Sequence, residues 1–381
     1  MKKLMFMINS LYGGGAEKVL QTLLSNIDYK KYDVTLYSMH REELDSTKYP
    51  AQIHYKVIFD KYCGDSMIIK IFSGFLTKAK GKIFNVCSSR LFYRLYIHEK
   101  YDVEIAFIEG ESTKIISGSP NKKSKKLAWV HIDLNNNPWT DFLYRDVQDE
   151  RKHYQQFDKI LCVSDSVKEA FIKKYELNEG KVSTQYNPID REEILTKSRE
   201  ICLLPPKTKL RMLAVGRLVE QKGFDRLVRI VNQLKKKGFD FELYILGEGE
   251  MRAKLEEYIA THGLKDTVYL LGFQQNPYSY MASSDLIVCS SRSEGFSTVV
   301  SEAVVLGIPI VSTDCAGVRE LFGSYECGII TENNEEALYR ALLYVLRNLD
   351  CLKLYGDEAK VRGQYFSLIN TMTDLEKIFS M

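Results

Sequence analysis

Residues 210–236 read LRMLAVGRLVEQKGFDRLVRIVNQLKK. The first six have the length and apolar character of a buried strand. Gly216 then turns the chain, and from residue 221 apolar side chains recur every three to four positions, the period of an amphipathic helix. A strand that passes through a glycine turn into a helix is the start of a βαβ unit, the building block of parallel sheets. Arg217 and Lys222 stand in the connection. A helix start favours anions because its first N–H groups lack partners within the helix. Two cations beside it make a phosphate clamp, although a solvated basic turn would look the same.

The same alternation extends in both directions. Downstream, the pattern predicts strands over 241–246, 267–270, 286–289 and 308–312. Helices are expected over 251–261, 277–282 and 298–306, and over most of 334–381. Upstream, strands are expected over 4–9, 34–37, 54–59, 103–107, 127–131, 159–163 and 182–185. Helices 16–26 and 165–174 lie among them, the second preceded by Ser164, whose hydroxyl can cap it. Residues 197–209, KSREICLLPPKTK, hold Pro205-Pro206, which suits neither a helix interior nor a central strand. They read as a linker between domains 1–196 and 210–381, with the last helix packing back on the first domain. The expected fold class is α/β: two facing Rossmann-like, doubly wound domains with an interdomain cleft. Ligands of such sheets bind beyond the carboxyl ends of the strands.

Composition narrows the function. The 381 residues carry 53 Lys+Arg against 50 Asp+Glu, and this near balance argues against a dedicated nucleic-acid binder. No apolar run approaches the roughly 18 residues of a spanning helix. The opening MKKLMFMINSLYGGG is too short in apolar residues for a signal peptide and reads as a buried strand. The eight cysteines form no C-x-x-C pair and the six histidines no H-x-H or H-x-x-x-H pair. No metal site or disulfide framework is expected, and a reduced, cytoplasmic chain is.

Gly13-Gly14-Gly15 opens the first helix and allows a ligand close to the backbone. It is not a dinucleotide fingerprint, because Lys18 holds the sixth position and no acid ends the second strand. Residues 293–303, SEGFSTVVSEA, place Glu294 in a turn and Glu302 on the following helix. Carboxylates accept hydrogen bonds from the vicinal hydroxyls of sugars and ribose. The alternative is one loop and one surface glutamate.

These runs, with LGEGEMRAKLE at 246–256 and the stretch from Leu271 to Leu321, resemble the retaining glycosyltransferase family 4. The likeness is nearest to its lipopolysaccharide-core, capsule and exopolysaccharide members. GGGAEKVL at 13–20, Trp129-Val130-His131 and YNPID at 186–190 fit as well. The resemblance implies a GT-B fold with an acceptor-binding first domain and a nucleotide-sugar-binding second domain. It implies that Gly216, Arg217 and Lys222 hold the donor diphosphate, with Gly14 and Gly15 approaching it from the first domain. Glu294 and the amides of Gly295, Phe296 and Ser297 would grip the sugar. Glu302 would hold the ribose, Gly272 and Phe273 would lie against the base, and His131 would sit near the sugar. A hexose or N-acetylhexosamine would pass from a donor, preferably UDP-linked, to a lipid-linked surface glycan, with no metal or cofactor. The alternatives are a sugar-nucleotide epimerase of the same fold and a non-catalytic scaffold that binds sugar nucleotides. No D-x-D triplet, the usual metal–diphosphate bridge of the other major glycosyltransferase fold, occurs.

Residues 66–98 interleave six cations with apolar side chains and contain no acid. Such a segment suits an anionic membrane surface on the inner face of the cell membrane, or equally helices half-buried on the first domain.

Overall fold

The computed structural model describes residues 1–11, 14–40, 49–59 and 88–380, with His40 by its backbone alone. The chain divides into two units, Met1–Pro188 with Thr371–Met381, and Ile189–Asn370.

The first unit is built on a parallel sheet of seven strands: β1 (Lys2–Ile8), β2 (Tyr32–His40), β3 (His54–Phe59), β4 (Val103–Ala106), β5 (Lys125–Val130), β6 (Lys159–Cys162) and β7 (Val182–Thr184). Their spatial order is β3-β2-β1-β4-β5-β6-β7, with Leu4 opposite both Val34 and Val103. Leu4 to Ile8 are all fully buried, as expected of a parallel strand with both faces covered.

The second unit has six parallel strands: β8 (Leu210–Val215), β9 (Phe241–Leu246), β10 (Val268–Gly272), β11 (Leu286–Cys289), β12 (Ile310–Thr313) and β13 (Gly328–Thr331). Their order is β10-β9-β8-β11-β12-β13, with Leu213 opposite Tyr244 and Ile287. Helix Phe224–Lys236 buries Leu227, Val228, Val231 and Leu234 in one core with Met212, Ala214, Leu243 and Ile245. Each such side chain contributes roughly 1.5–3 kcal/mol by leaving water.

Both sheets begin near the middle, wind outward, then return and continue the other way. The reversal falls between β1 and β4 and between β8 and β11. A crevice opens at such a switch point, beyond the strand ends.

The division between the units differs from the expected linker 197–209. It falls after Pro188, because helix Arg191–Ser198 packs on helices Tyr278–Ala282 and Thr298–Leu306 of the second unit. Asn276 Nδ2 donates to the Lys197 carbonyl at 2.8 Å, and Arg211 Nη2 to the Pro205 carbonyl at 2.8 Å. The proline segment is thus part of the second unit. The last helix, Leu368–Ser380, ends in the first unit: Phe379 is fully buried edge-on to Phe6, with ring centroids 6.0 Å apart. Among the additions to the expected elements are β13 and helices Arg191–Ser198 and Val318–Phe322.

Of the basic segment 66–98, residues 66–87 lie outside the described residues. The rest forms helix Ser89–Tyr96, which buries Phe92 and Tyr93 and exposes Arg90, Leu91, Arg94 and Leu95. Among the described residues, no helix is long and apolar enough to cross a membrane.

Candidate functional site

The connections that follow β8 and β11 are locked together at the second switch point. Gly223 makes this possible: its φ is +65°, and a Cβ there would lie 2.1 Å from the Ser290 carbonyl oxygen. The Ser290 hydroxyl donates to the Lys222 carbonyl at 2.9 Å, and the Arg292 N–H to the Gln221 carbonyl at 2.7 Å. Gln221 Nε2 donates to the Ser293 carbonyl at 2.8 Å. Behind them the buried Arg226 guanidinium donates to the carbonyls of Ser290 (2.8 Å) and Ser291 (2.6 Å). Arg292 forms a bidentate pair with Asp225, both bonds 2.8 Å. Burial works against the Asp225 charge, but Arg292 and Arg229 outweigh it and hold its carboxyl down at about 2.

This frame brings Lys222 and Glu294 into contact, Nζ to Oε1 at 2.6 Å, with both side chains largely buried. The Ser291 hydroxyl donates to the same oxygen at 2.5 Å. Burial alone would lower the Lys222 pKa, yet the Glu294 carboxylate beside it raises it above the ordinary lysine value. Contact with the carboxylate thus favours the charged form of the Lys222 ammonium. Arg217, just past Gly216, is exposed, and its guanidinium has no hydrogen-bond or ion-pair partner among the described residues. The arrangement offers a fixed cation, a free cation and a carboxylate at the mouth of the crevice. Phosphate and hydroxyl groups are what such a set can hold.

Ser297 caps helix Thr298–Leu306, its hydroxyl accepting from the Val300 N–H at 3.4 Å. Phe296 is buried, and Gly317 (φ +78°) lets the next connection pass within 2.5 Å, measured from a notional Cβ, of the Gly295 carbonyl. Glu302 sits on this helix but takes different company. It is buried and accepts from the Tyr278 hydroxyl at 3.4 Å. Gly272, at φ +75°, ends β10, and the Phe273 ring beyond it is 62 % exposed. A cavity of about 360 Å³ lies elsewhere in this unit, lined by Leu203, Tyr244, Tyr269, Leu271, Gln274 and Tyr280. It includes none of the charged residues of the crevice.

In the first unit, Gly14 caps helix Gly15–Ser25. The Glu17 carboxylate folds over this start, so that a Cβ on Gly14 would lie 2.2 Å from Glu17 Oε2. An acidic group thus stands where the resemblance expects a diphosphate to approach. His131 follows β5, its ring 5.9 Å from Trp129 and 5.0 Å from Phe107 between centroids. Burial pushes its pKa down to about 3, so it is neutral at pH 7, and Nε2 has no hydrogen-bond partner among the described residues. Its backbone N–H and that of Ile132 both donate to Glu109 Oε1. Burial raises the Glu109 carboxyl to about 7.

Sequence reasoning singled out Arg217, Lys222 and Glu294, two of which the structure joins. It missed Ser291, Arg226, Tyr278 and Glu109. Ser291 lies three residues before Glu294 in the same run, and a serine before a turn glutamate was the available signal. Glu109 has no spacing that marks it.

The pattern of the family described as Glycosyltransferase Family 4 matches residues 13–193, and that of Glycosyl transferases group 1 matches residues 200–361. The chain is 30% identical over 380 residues to the N-acetylgalactosamine-N,N'-diacetylbacillosaminyl-diphospho-undecaprenol 4-alpha-N-acetylgalactosaminyltransferase of Campylobacter jejuni, with 99% of each chain covered. It is 25% identical over 348 residues to the amylovoran biosynthesis glycosyltransferase AmsD of Erwinia amylovora, covering 90% of this chain and 89% of that one. Among solved structures, Anabaena HepE in complex with UDP and glucose superposes with a TM-score of 0.77 at 18% identity, each chain fully covered. Two parallel-sheet Rossmann-like domains and these matches make the fold GT-B, and the chain belongs to the family 4 glycosyltransferases.

Proposed function

We infer that this glycosyltransferase moves a hexose or N-acetylhexosamine from a UDP-sugar to a hydroxyl of a lipid-linked surface glycan. The observation that carries the reading is the Lys222–Glu294 ion pair at the β8/β11 switch point, with Arg217, which has no partner among the described residues, in the same connection. The Campylobacter relative's name specifies a diphospho-undecaprenol acceptor, the Erwinia relative's amylovoran biosynthesis, and the HepE complex holds UDP and glucose.

The chemistry follows from the leaving group. Breaking the bond between the anomeric carbon and the phosphate oxygen leaves positive charge on the sugar and extra negative charge on the diphosphate. Cations fixed in advance stabilise that charge without reorganising during the step. Lys222 and Arg217 supply them, and we assign a metal no part. Glu294 orients the sugar through its hydroxyls, and Glu302 holds the ribose. Gly272 and Phe273 offer the base an exposed ring face. The reaction proceeds with retention. The acceptor oxygen bonds to the anomeric carbon on the face that the phosphate leaves, and the departing phosphate oxygen takes the acceptor's proton. His131, with a pKa of about 3, is too weak a base for that proton and acts by shape.

With a lipid-linked acceptor, we assign the enzyme to the cytoplasm at the inner face of the cell membrane. Helix Ser89–Tyr96, with Arg90 and Arg94 beside Leu91 and Leu95 on its exposed side, suits an anionic surface. The purified protein should release UDP slowly from one of a panel of UDP-hexoses, and faster with a lipid-diphosphate glycan present. Absence of release from every UDP- and GDP-sugar, with or without acceptor, refutes the reading. Co-sedimentation with phosphatidylglycerol vesicles at low salt tests the membrane part, and full recovery in the supernatant refutes it.

A further inference from the structure

The Glu294 carboxylate is not symmetric in its surroundings. Oε1 accepts from the Lys222 ammonium at 2.6 Å and from the Ser291 hydroxyl at 2.5 Å. A carboxylate oxygen has two lone pairs, so Oε1 is fully engaged. Oε2 has no hydrogen-bond partner among the described residues. Ser291 is itself held from several sides. Its hydroxyl accepts from the Cys289 thiol at 3.7 Å. Its carbonyl accepts from Thr313 Oγ1 at 2.6 Å, from Arg226 Nη2 at 2.6 Å and from the Cys315 thiol at 3.2 Å. Ser291 is 2 % exposed and cannot itself meet a substrate. Its hydroxyl has one proton to give, and it gives it to Glu294.

We propose that Ser291 is a positioning residue for the sugar: with Lys222 it fills Oε1 and leaves Oε2 as the one carboxylate atom presented to the donor. This rests on the donor-site reading above. The Ser291 proton fixes the rotation of the carboxylate, which Lys222 alone would leave free to exchange its two oxygens. The glutamate then reads its hydroxyl through a single oxygen rather than straddling a vicinal pair with both. The sugar, and not the nucleotide, feels the loss of Ser291.

The backbone of Ser291 is anchored by three donors that do not involve its side chain, so Ser291→Ala keeps the loop in place. The test uses the full chain and the UDP-hexose that the wild type hydrolyses fastest. In S291A, kcat/KM for nucleotide release is expected to fall at least tenfold, while the inhibition constant of UDP stays within twofold. In a Glu294→Gln background the same replacement is expected to cost less than twofold, because the residue it acts through is already altered. An equal loss of UDP and UDP-sugar recognition, no loss of either, or an undiminished tenfold loss in the Glu294→Gln background would each overturn the proposal. A variant that fails to fold counts against it too, since the backbone anchors are predicted to suffice. A wild-type protein that neither binds UDP nor releases it overturns the donor-site reading itself, and that failure shows without any variant.

Discussion

One topology is used twice in this chain and given two kinds of chemistry. The β8/β11 crevice keeps its charges: Lys222 and Glu294 touch, and the carboxylate keeps the ammonium charged in a partly dry place. The β1/β4 sheet, at the ends of β4 and β5, gives up its charges instead. His131 is neutral across the physiological range, and Glu109, whose Oε1 accepts two backbone N–H groups, has its carboxyl raised to about 7. The difference lies in partnership rather than depth. A buried ionisable group with an opposite charge in contact stays charged, and one without it drifts toward neutrality.

The comparison can be broken most decisively at the charged crevice. Lys222→Ala, Arg217→Ala and Glu294→Ala should each lower nucleotide release by roughly 100- to 1000-fold, the range for losing one preorganised group from a transition-state site. Release assays on the three variants would show whether one of them is dispensable. The same pair predicts a stability effect. Lys222→Met or Glu294→Gln alone should destabilise the protein by about 4 kcal/mol, because a largely buried charge is left behind, and the double variant should recover most of it. Urea unfolding of the three proteins checks this.

The neutral end predicts a pH signature. Glu109 has a folded pKa near 7 against 4.5 for the ordinary group, so the folded state holds its proton longer. Its contribution is complete below about pH 4.5 and is lost as pH rises to 7. Glu109→Gln keeps an acceptor for both N–H groups without the charge. It should be more stable than the wild type above pH 7 by about 3 kcal/mol and equal to it near pH 4.5. His131 slopes the other way: its folded pKa of about 3 lies below 6.5, so its contribution is complete above pH 6.5 and fades as pH falls. Between pH 4.5 and 6.5 the two oppose each other. Glu109→Gln should therefore expose a rise of stability with pH in that window, and His131→Asn a fall, each read as a difference from the wild type in thermal melts.

The smallest effect separates structure from chemistry. Ser164 and Ser297 cap helices at the ends of strands in the two units, each accepting from an N–H three residues on. Ser164→Ala and Ser297→Ala should each cost about 1 kcal/mol. Only the second should slow nucleotide release.

The strands of both sheets were legible because parallel strands covered on both faces are short apolar runs, such as Leu4 to Ile8. Helix Arg191–Ser198 was not, because it buries a single residue, Ile194, and so shows no apolar stripe. Its N-cap was visible nonetheless: the Asp190 side chain accepts from the Glu193 N–H at 2.9 Å. That cap puts a helix start, and with it the unit boundary, ahead of the proline pair. At the site, residue types and spacing pointed to Lys222 and Glu294. That they meet through one oxygen, although 72 residues apart in sequence, depends on how two connections close on each other, which no local pattern encodes. Glu109 stayed hidden because its raised pKa comes from what surrounds it.

The Phe379 side chain sits against Phe6, near the opposite end of the chain. Protein synthesis is directional, so the helix that completes the first unit leaves the ribosome only after the whole of Ile189–Asn370. All of Ile189–Asn370 emerges earlier, and its own core is free to form first. A unit whose strands precede Ile189–Asn370 in the chain is therefore completed only after that segment has been made, when Phe379 comes to cover Phe6.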